Sequence, residues 1–167
     1  MPLNPFFLQG SSSEQKLVQD LINEHLSIHG LDVTYIPRKM VNRATIIEEV
    51  TTSKFDDNFL IEAYVNTYEG YAGQGDIMSK FGVQIEDEVT LTISKERFED
   101  FISAFLQVYP TSEIEVTTRP REGDLIYFPL GGRLFEVKFV EHEVPFYQLG
   151  QNYVYELKCE LFEYEDE

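Results

Sequence analysis

Three charged residues in the last third of the chain could form a metal-dependent nuclease site. Asp124 follows Gly123 at the start of a predicted strand, and Glu136 and Lys138 lie two residues apart on the next predicted strand. In such sites the two carboxylates hold Mg²⁺ while the lysine orients water, and all three project from paired strands. Glu-x-Lys is equally the pattern of any strand whose polar face points to solvent. The spacing therefore favours a solvated strand face, and a nuclease remains an alternative function.

Other residues with metal-binding or nucleophilic side chains are isolated. His25 and His29 lie four apart, a spacing that can hold a divalent metal from one helix face, but no third ligand accompanies them. Cys159 is the single cysteine and shares its strand phase with apolar residues, which indicates a core position. We therefore expect no catalytic residue, no metal and no cofactor.

The charge of the chain argues against a protein that wraps DNA, and its glycine-rich segment does not match a nucleotide-binding loop. Thirty acidic and 13 basic residues give a formal net charge of −17, which repels phosphate groups. The glycine-rich segment 70–75 is not placed between a strand and a helix and has no lysine to reach a phosphate. No apolar run approaches the roughly 20 residues that span a bilayer, so we expect a soluble protein without a membrane partner. The single cysteine fits a reducing cytoplasm.

Two amphipathic helices are predicted. Ser11 and Glu14 have the spacing of a capping box, and Gly30 supplies a stop, so the first helix lies between them. Its apolar positions are Leu17, Val18, Leu21, Ile22, Leu26 and Ile28, with Gln19, Asp20, Asn23 and Glu24 on the other face. Ser94 can cap the second helix, which Pro110 ends. Its apolar positions are Phe98, Phe101, Ile102, Phe105 and Leu106.

The remaining periodic segments are strands. Alternation and β-branched or aromatic residues predict strands at 31–36, 59–65, 83–93, 114–117, 125–128, 134–140 and 153–161. A Gly131-Gly132 turn joins two of them as a hairpin. The fold class is therefore α+β: a mostly antiparallel β-barrel or sandwich of about 5–7 strands with both helices packed outside. We expect an N-terminal arm at 1–12 and a single domain at 13–167.

Two long loops are predicted contact surfaces. The segment 38–58 lacks a clean period, could hold a strand at 45–50, and contains the clustered basic residues Arg38, Lys39 and Arg43. The second loop covers 67–82 and includes the glycine-rich segment. Phe146 and Tyr147 follow Pro145, where aromatic side chains either plug the core or anchor an interface.

Several blocks in order resemble the neck proteins of T4-like myoviruses, including those of cyanophages. The blocks are 35–38 (YIPR), 70–76 (GYAGQGD), 79–82 (SKFG), 123–129 (GDLIYFP), 135–143 (FEVKFVEHE), 145–150 (PFYQLG) and 159–164 (CELFEY). The resemblance implies a structural virion protein without catalytic residues, which forms a hexameric ring between a portal-side adaptor ring and the tail-terminator ring. Such a ring closes the packaged head and lets DNA pass at ejection.

This resemblance makes the long loops the expected sites of contact. The candidate interface residues are Arg38, Lys39, Arg43, Tyr71, Gly73, Gly75, Phe81, Phe146 and Tyr147. An acidic channel wall would suit the transit of DNA, because it gives the duplex no place to stick. The rival functions are the nuclease and a monomeric phage-encoded binding protein.

Overall fold

The computed structural model describes residues 10–43, 50–55, 57–69, 87–108, 119–141 and 148–162. The helices are α1 (Ser12–His29) and α2 (Lys95–Val108), and a single 3₁₀ turn covers Gln148–Gly150. The strands are β1 (Leu31–Ile36), β2 (Lys39–Arg43), β3 (Val50–Lys54), β4 (Phe59–Glu69), β5 (Glu88–Ser94), β6 (Leu125–Phe128), β7 (Arg133–Glu141) and β8 (Val154–Leu161). The predicted strand 114–117 and most of the predicted arm lie outside the described residues.

Six strands form a closed antiparallel barrel in the order β1-β4-β5-β8-β7-β6. The barrel closes between β6 and β1, where Thr34 pairs with Tyr127. On the other side of β1, Thr34 pairs with Leu60 of β4. The predicted α+β fold with an antiparallel barrel and two helices is confirmed.

The core fills the barrel with the inward-facing residues of each strand. In β5, Val89, Leu91 and Ile93 are fully buried while the residues between them are not, as the two-residue period of a strand requires. The rings of Phe128 and Phe135 meet edge to face at 6.0 Å. The core also includes Val33, Ile61, Ala63, Ile126, Val137, Leu157 and Cys159. Removal of this apolar surface from water is the main force that holds the barrel together.

The two helices pack on the same pair of strands, β4 and β5. Phe98 of α2 is buried and meets the ring of Tyr35 edge to face at 5.3 Å. Helix α1 begins as predicted. The prediction of a capping box is wrong, because the Ser11 side chain makes no cap hydrogen bond and pairs with the Ser13 hydroxyl instead. Neither described helix is long and apolar enough to cross a membrane.

The prediction of a long loop over 38–58 is wrong, because two strands lie within this range. Strands β2 and β3 pair antiparallel as a separate two-stranded sheet, with Lys39 opposite Lys54 and Arg43 opposite Val50. The sequence does not predict them, because neither KMVNR nor VTTSK alternates apolar and polar residues. Residues 44–49, including most of the strand expected at 45–50, lie outside the described part.

Strand β4 is longer than predicted and reaches Glu69. A register shift between Val65 and Thr67 moves the inward phase by one residue, so that Tyr68 pairs with the buried Val89. The shift breaks the two-residue period that the sequence prediction follows. The turn between β6 and β7 is confirmed, and Gly132 adopts a φ of +61° there.

Candidate functional site

Asp124 is a buried carboxylate that three hydrogen bonds hold in place. Its carboxylate accepts a hydrogen bond from the Tyr35 hydroxyl and another, at 2.7 Å, from the backbone N–H of Arg38. The backbone N–H of Arg121 donates a third, at 3.2 Å. Asp124 is buried at 3% exposure, so these donors replace the water that an exposed carboxylate would bind.

Burial sets the electrostatics of this pair. It raises the pKa of Asp124 above its ordinary value, against the lowering effect of the three hydrogen bonds. Burial also raises the pKa of Tyr35 well above its ordinary value, and the neighbouring Asp124 charge acts in the same direction. The pair joins the ends of β1 and β6, so its visible role is to fix the loop before β6.

The three residues of the nuclease hypothesis do not converge. Asp124 lies two residues before the buried Ile126 and so continues the inward phase of β6. Glu136 lies between buried Phe135 and Val137 and faces outward, where it accepts a 2.7 Å bond from Lys138 Nζ. The barrel wall thus separates the buried carboxylate from the other two charges.

The histidine pair lies on the exposed side of α1. The rings of His25 and His29 are 4.8 Å apart, and the His25 ring is 6.0 Å from that of Tyr64. Across the described ranges, no three His, Cys, Asp or Glu side chains come close enough to hold a metal ion. The pair has the arrangement of two solvated histidines that pack on a neighbouring strand.

Of the candidate interface residues, three lie in the described part. Arg38 is half-buried, and its guanidinium lies over Gly123, where a Cβ would be 3.1 Å from Arg38 Nη1. Lys39 and Arg43 are the first and last residues of β2. Tyr71, Gly73, Gly75, Phe81, Phe146 and Tyr147 lie outside the described residues. The interface role of all nine stays a prediction.

Helix α1 presents to the barrel a different face from the one predicted. Gln19 is buried and donates from Nε2 to Ser94 Oγ at 3.2 Å, and Ser94 Oγ donates to Asn23 Oδ1 at 2.5 Å. Asn23 Nδ2 in turn donates to Glu96 at 2.6 Å. The prediction that Gln19 and Asn23 face solvent is therefore wrong. Leu17, Leu21 and Ile28 are left exposed, and we call them the α1 outer stripe.

A second apolar surface was missed on the barrel itself. The outward residues Tyr127 and Leu134 are directly opposite each other on β6 and β7. Together with Leu130 in the connecting turn and Phe139 further along β7, they form what we call the β6–β7 face; all four are exposed. The sequence contained a signal for this surface, namely apolar residues at the outward positions of two strands, which together indicate a contact surface.

These observations define a class of protein. Asp124 is held by hydrogen bonds within the fold, and Glu136 is paired with Lys138, while apolar side chains are exposed on α1 and on the β6–β7 face. Exposed apolar surfaces of this kind are typical of proteins that pack against other protein subunits.

The particular family follows from a comparison with known families. The family model described as "Virus neck protein" matches residues 2–167, so the chain belongs to the virus neck protein family. It is a structural protein of the phage virion, located at the head–tail junction. The resemblance found in the sequence is thereby confirmed. No solved structure matches the chain.

Proposed function

We propose that the chain forms a hexameric ring in the phage neck, between a portal-side adaptor ring and the tail-terminator ring. The ring closes the DNA-filled head, docks the tail and lets DNA pass at ejection, and it catalyses nothing. The observation that carries this proposal is the family match over nearly the whole chain. The absence of a convergent chemical site among the described residues is consistent with it.

The β2–β3 hairpin supports a docking role. Its two strands pair only with each other in the described structure, so the hairpin is an appendage of the barrel. The strands contain Lys39, Arg43 and Lys54 and no acidic residue, in a chain of formal net charge −17. With Glu48 and Glu49 between the strands, the segment 39–54 has a formal net charge of +1. A segment of this charge on an acidic subunit is suited to an acidic partner, and copies of this chain are acidic.

The net charge supports passage of DNA without capture. A surface that gathers no phosphates releases no counterions on contact with a duplex, so it gains no binding free energy from the backbone. An acidic ring therefore leaves a duplex free to move through its channel.

Native mass spectrometry of the full chain, together with localisation of a tagged copy in phage particles, tests the proposal. We expect a ring mass and a tag at the junction between head and tail. Infectious particles that lack the polypeptide would overturn it. Mg²⁺-dependent DNA cleavage that is lost in Glu136→Ala would favour the nuclease, and a stable monomer absent from virions would favour a monomeric binding protein.

A further inference from the structure

The α1 outer stripe is a line of exposed apolar residues without a partner in the described fold. Leu17, Leu21 and Ile28 are 59%, 55% and 66% exposed. At 100° per residue they fall within about 40° of one another around the helix, and from Leu17 to Ile28 the line is about 16 Å long. Glu24 lies about 20° outside this arc and between Leu21 and Ile28 along the helix, so one acidic side chain borders the line.

The β6–β7 face has a matching length and composition. Along β7, the distance from Leu134 to Phe139 corresponds to about 16 Å of extended strand. Tyr127 and Phe139 are 41% and 46% exposed. Basic side chains border this face: Lys138 follows Glu136 on β7, and the ammonium of Lys158 on β8 lies 5.6 Å from the centre of the Phe139 ring.

The two surfaces lie on opposite sides of the barrel. Helix α1 packs on β4 and β5. In the closed order of six strands, β7 is three strands from β4, and β6 is three strands from β5. Three steps in a six-stranded barrel are half of its circumference. The main neighbours of β6 and β7 in the described part are the barrel strands beside them.

The charges permit this contact between copies that otherwise repel one another. Residues 119–141 hold four basic residues (Arg119, Arg121, Arg133, Lys138) and four acidic ones (Glu122, Asp124, Glu136, Glu141), for a formal net charge of zero. Helix α1 holds three acidic residues (Glu14, Asp20, Glu24) and one lysine (Lys16), for a net charge of −2. In a chain of net charge −17, the β6–β7 region is therefore a side that an acidic neighbour can approach.

We propose that the α1 outer stripe of one copy packs against the β6–β7 face of the next copy. The inference rests on the proposed ring and names its seam. Different surfaces on opposite sides of one subunit make a head-to-tail contact, which repeats around an axis until the ring closes. A symmetric dimer would instead join one surface to its own copy.

Mixing two variants of the full chain tests the seam. Leu21→Asp spoils the stripe and leaves the β6–β7 face intact, whereas Tyr127→Asp does the reverse. Each variant alone should self-associate at least about 30-fold more weakly than the wild type, as for a central interface residue. The mixture should form a one-to-one dimer through its single intact pair of surfaces, detected by native mass spectrometry.

Leu60→Asp is the matched control, since Leu60 is 63% exposed but lies on β4, outside both surfaces. It should self-associate as the wild type does. Circular dichroism and thermal unfolding of all three variants check that each is folded. Leu21→Cys with Tyr127→Cys supplies a second measurement in assembled particles: oxidation should produce a ladder of crosslinked copies, and Leu21→Cys with Leu60→Cys should produce none.

Rings formed normally by both aspartate variants, or assembled particles without the crosslinked ladder, would overturn this seam and leave the ring itself standing. Variants that form rings but fail to bind a neighbouring ring would also overturn it, because the surfaces would then face another protein. A wild-type chain that is monomeric in solution and uncrosslinked in particles would overturn the ring and the seam together.

Discussion

At the scale of single residues, Asp124 shows how a candidate catalytic carboxylate can be a structural one. Its oxygens face the Tyr35 hydroxyl and the backbone N–H groups of Arg38 and Arg121. A buried acceptor with three donors fixes the loop before β6 to the end of β1. The carboxylate of Asp124 therefore serves to position the backbone.

Asp124→Asn should lower the free energy of unfolding by about 1–3 kcal/mol, because the amide NH₂ of asparagine meets a donor where a carboxylate oxygen accepted one. Denaturant unfolding measures the change. Asp32→Asn, on the exposed outer side of β1, is the control and should change stability by less than about 0.5 kcal/mol. Equal effects of the two substitutions would contradict the structural role of Asp124.

The stability of the wild type relative to Asp124→Asn should depend on pH. Burial raises the folded-state pKa of Asp124 above its unfolded value, so the folded chain binds the extra proton between these two values. The stabilisation that protonated Asp124 adds to the free energy of unfolding is fully present below the unfolded pKa, about 4. It is lost as pH rises through the raised folded pKa. Unfolding curves from pH 7.5 down to 4.5 should therefore show the difference growing toward acid. A difference that shrinks toward acid would show that the pKa is lowered instead.

Cys159 should be unreactive in the folded chain. Burial raises the pKa of its thiol to about 12, so almost no thiolate exists at pH 8, and the side chain is sealed inside the barrel. A thiol reagent at pH 8 should label it only as fast as the barrel opens, and fully once denaturant is added. Labelling in native buffer at the rate of a free cysteine would show that β8 does not hold the core closed.

At the scale of elements, the junction between α1 and β1 leaves no room for a side chain. A Cβ at Gly30 would lie 2.2 Å from the Leu26 carbonyl oxygen and 3.0 Å from that of Ala63. Both are backbone atoms, so Gly30→Ala must displace α1 from β4, and we expect a loss of about 3 kcal/mol in unfolding free energy. Gly132→Ala has open space around it and should cost only about 1 kcal/mol, for its positive φ. Thermal and denaturant unfolding compare the two, and a Gly30→Ala chain as stable as Gly132→Ala would refute the close approach.

The β2–β3 hairpin should be dispensable for folding and required for assembly. Its strands make no ladder with the barrel, so replacement of residues 40–53 by a short Gly-Ser linker should shift the Tm by only a few degrees. The same change should prevent incorporation into particles. Lys39→Ala combined with Arg43→Ala retains the hairpin and separates its charge from its shape. Normal particles from the linker chain would remove the hairpin from the docking surfaces.

The sequence predicts those elements whose pattern is local. Alternation in β5 and β8 and the Gly131-Gly132 turn identify barrel strands, because one buried face imposes a period of two. The orientation of α1 was not predictable, since the Gln19–Ser94 bond joins residues 75 positions apart. The role of Asp124 was hidden for the same reason, as its partner Tyr35 lies 89 positions away. Periodicity identifies an apolar face but does not say what covers it.

At the scale of the whole molecule, the net charge of −17 should oppose self-association at low ionic strength. The screening length is about 30 Å at 0.01 M salt and about 8 Å at 0.15 M, so salt removes most of the repulsion between copies while apolar contacts persist. Sedimentation at the two salt concentrations should show stronger association at 0.15 M. Association that weakens as salt is added would mean that ion pairs, and not apolar packing, dominate the seam.

The closed barrel restricts how a neighbouring chain can be joined to this one. Each of its six strands has a partner strand on both sides, so no barrel strand offers an incoming extended peptide one entire open edge. Of the described strands, only β2 and β3 lack a partner strand on one side, which makes them the candidates for backbone strand addition. A joint made on the outer faces of the barrel strands uses side chains, and its strength can therefore be adjusted one residue at a time.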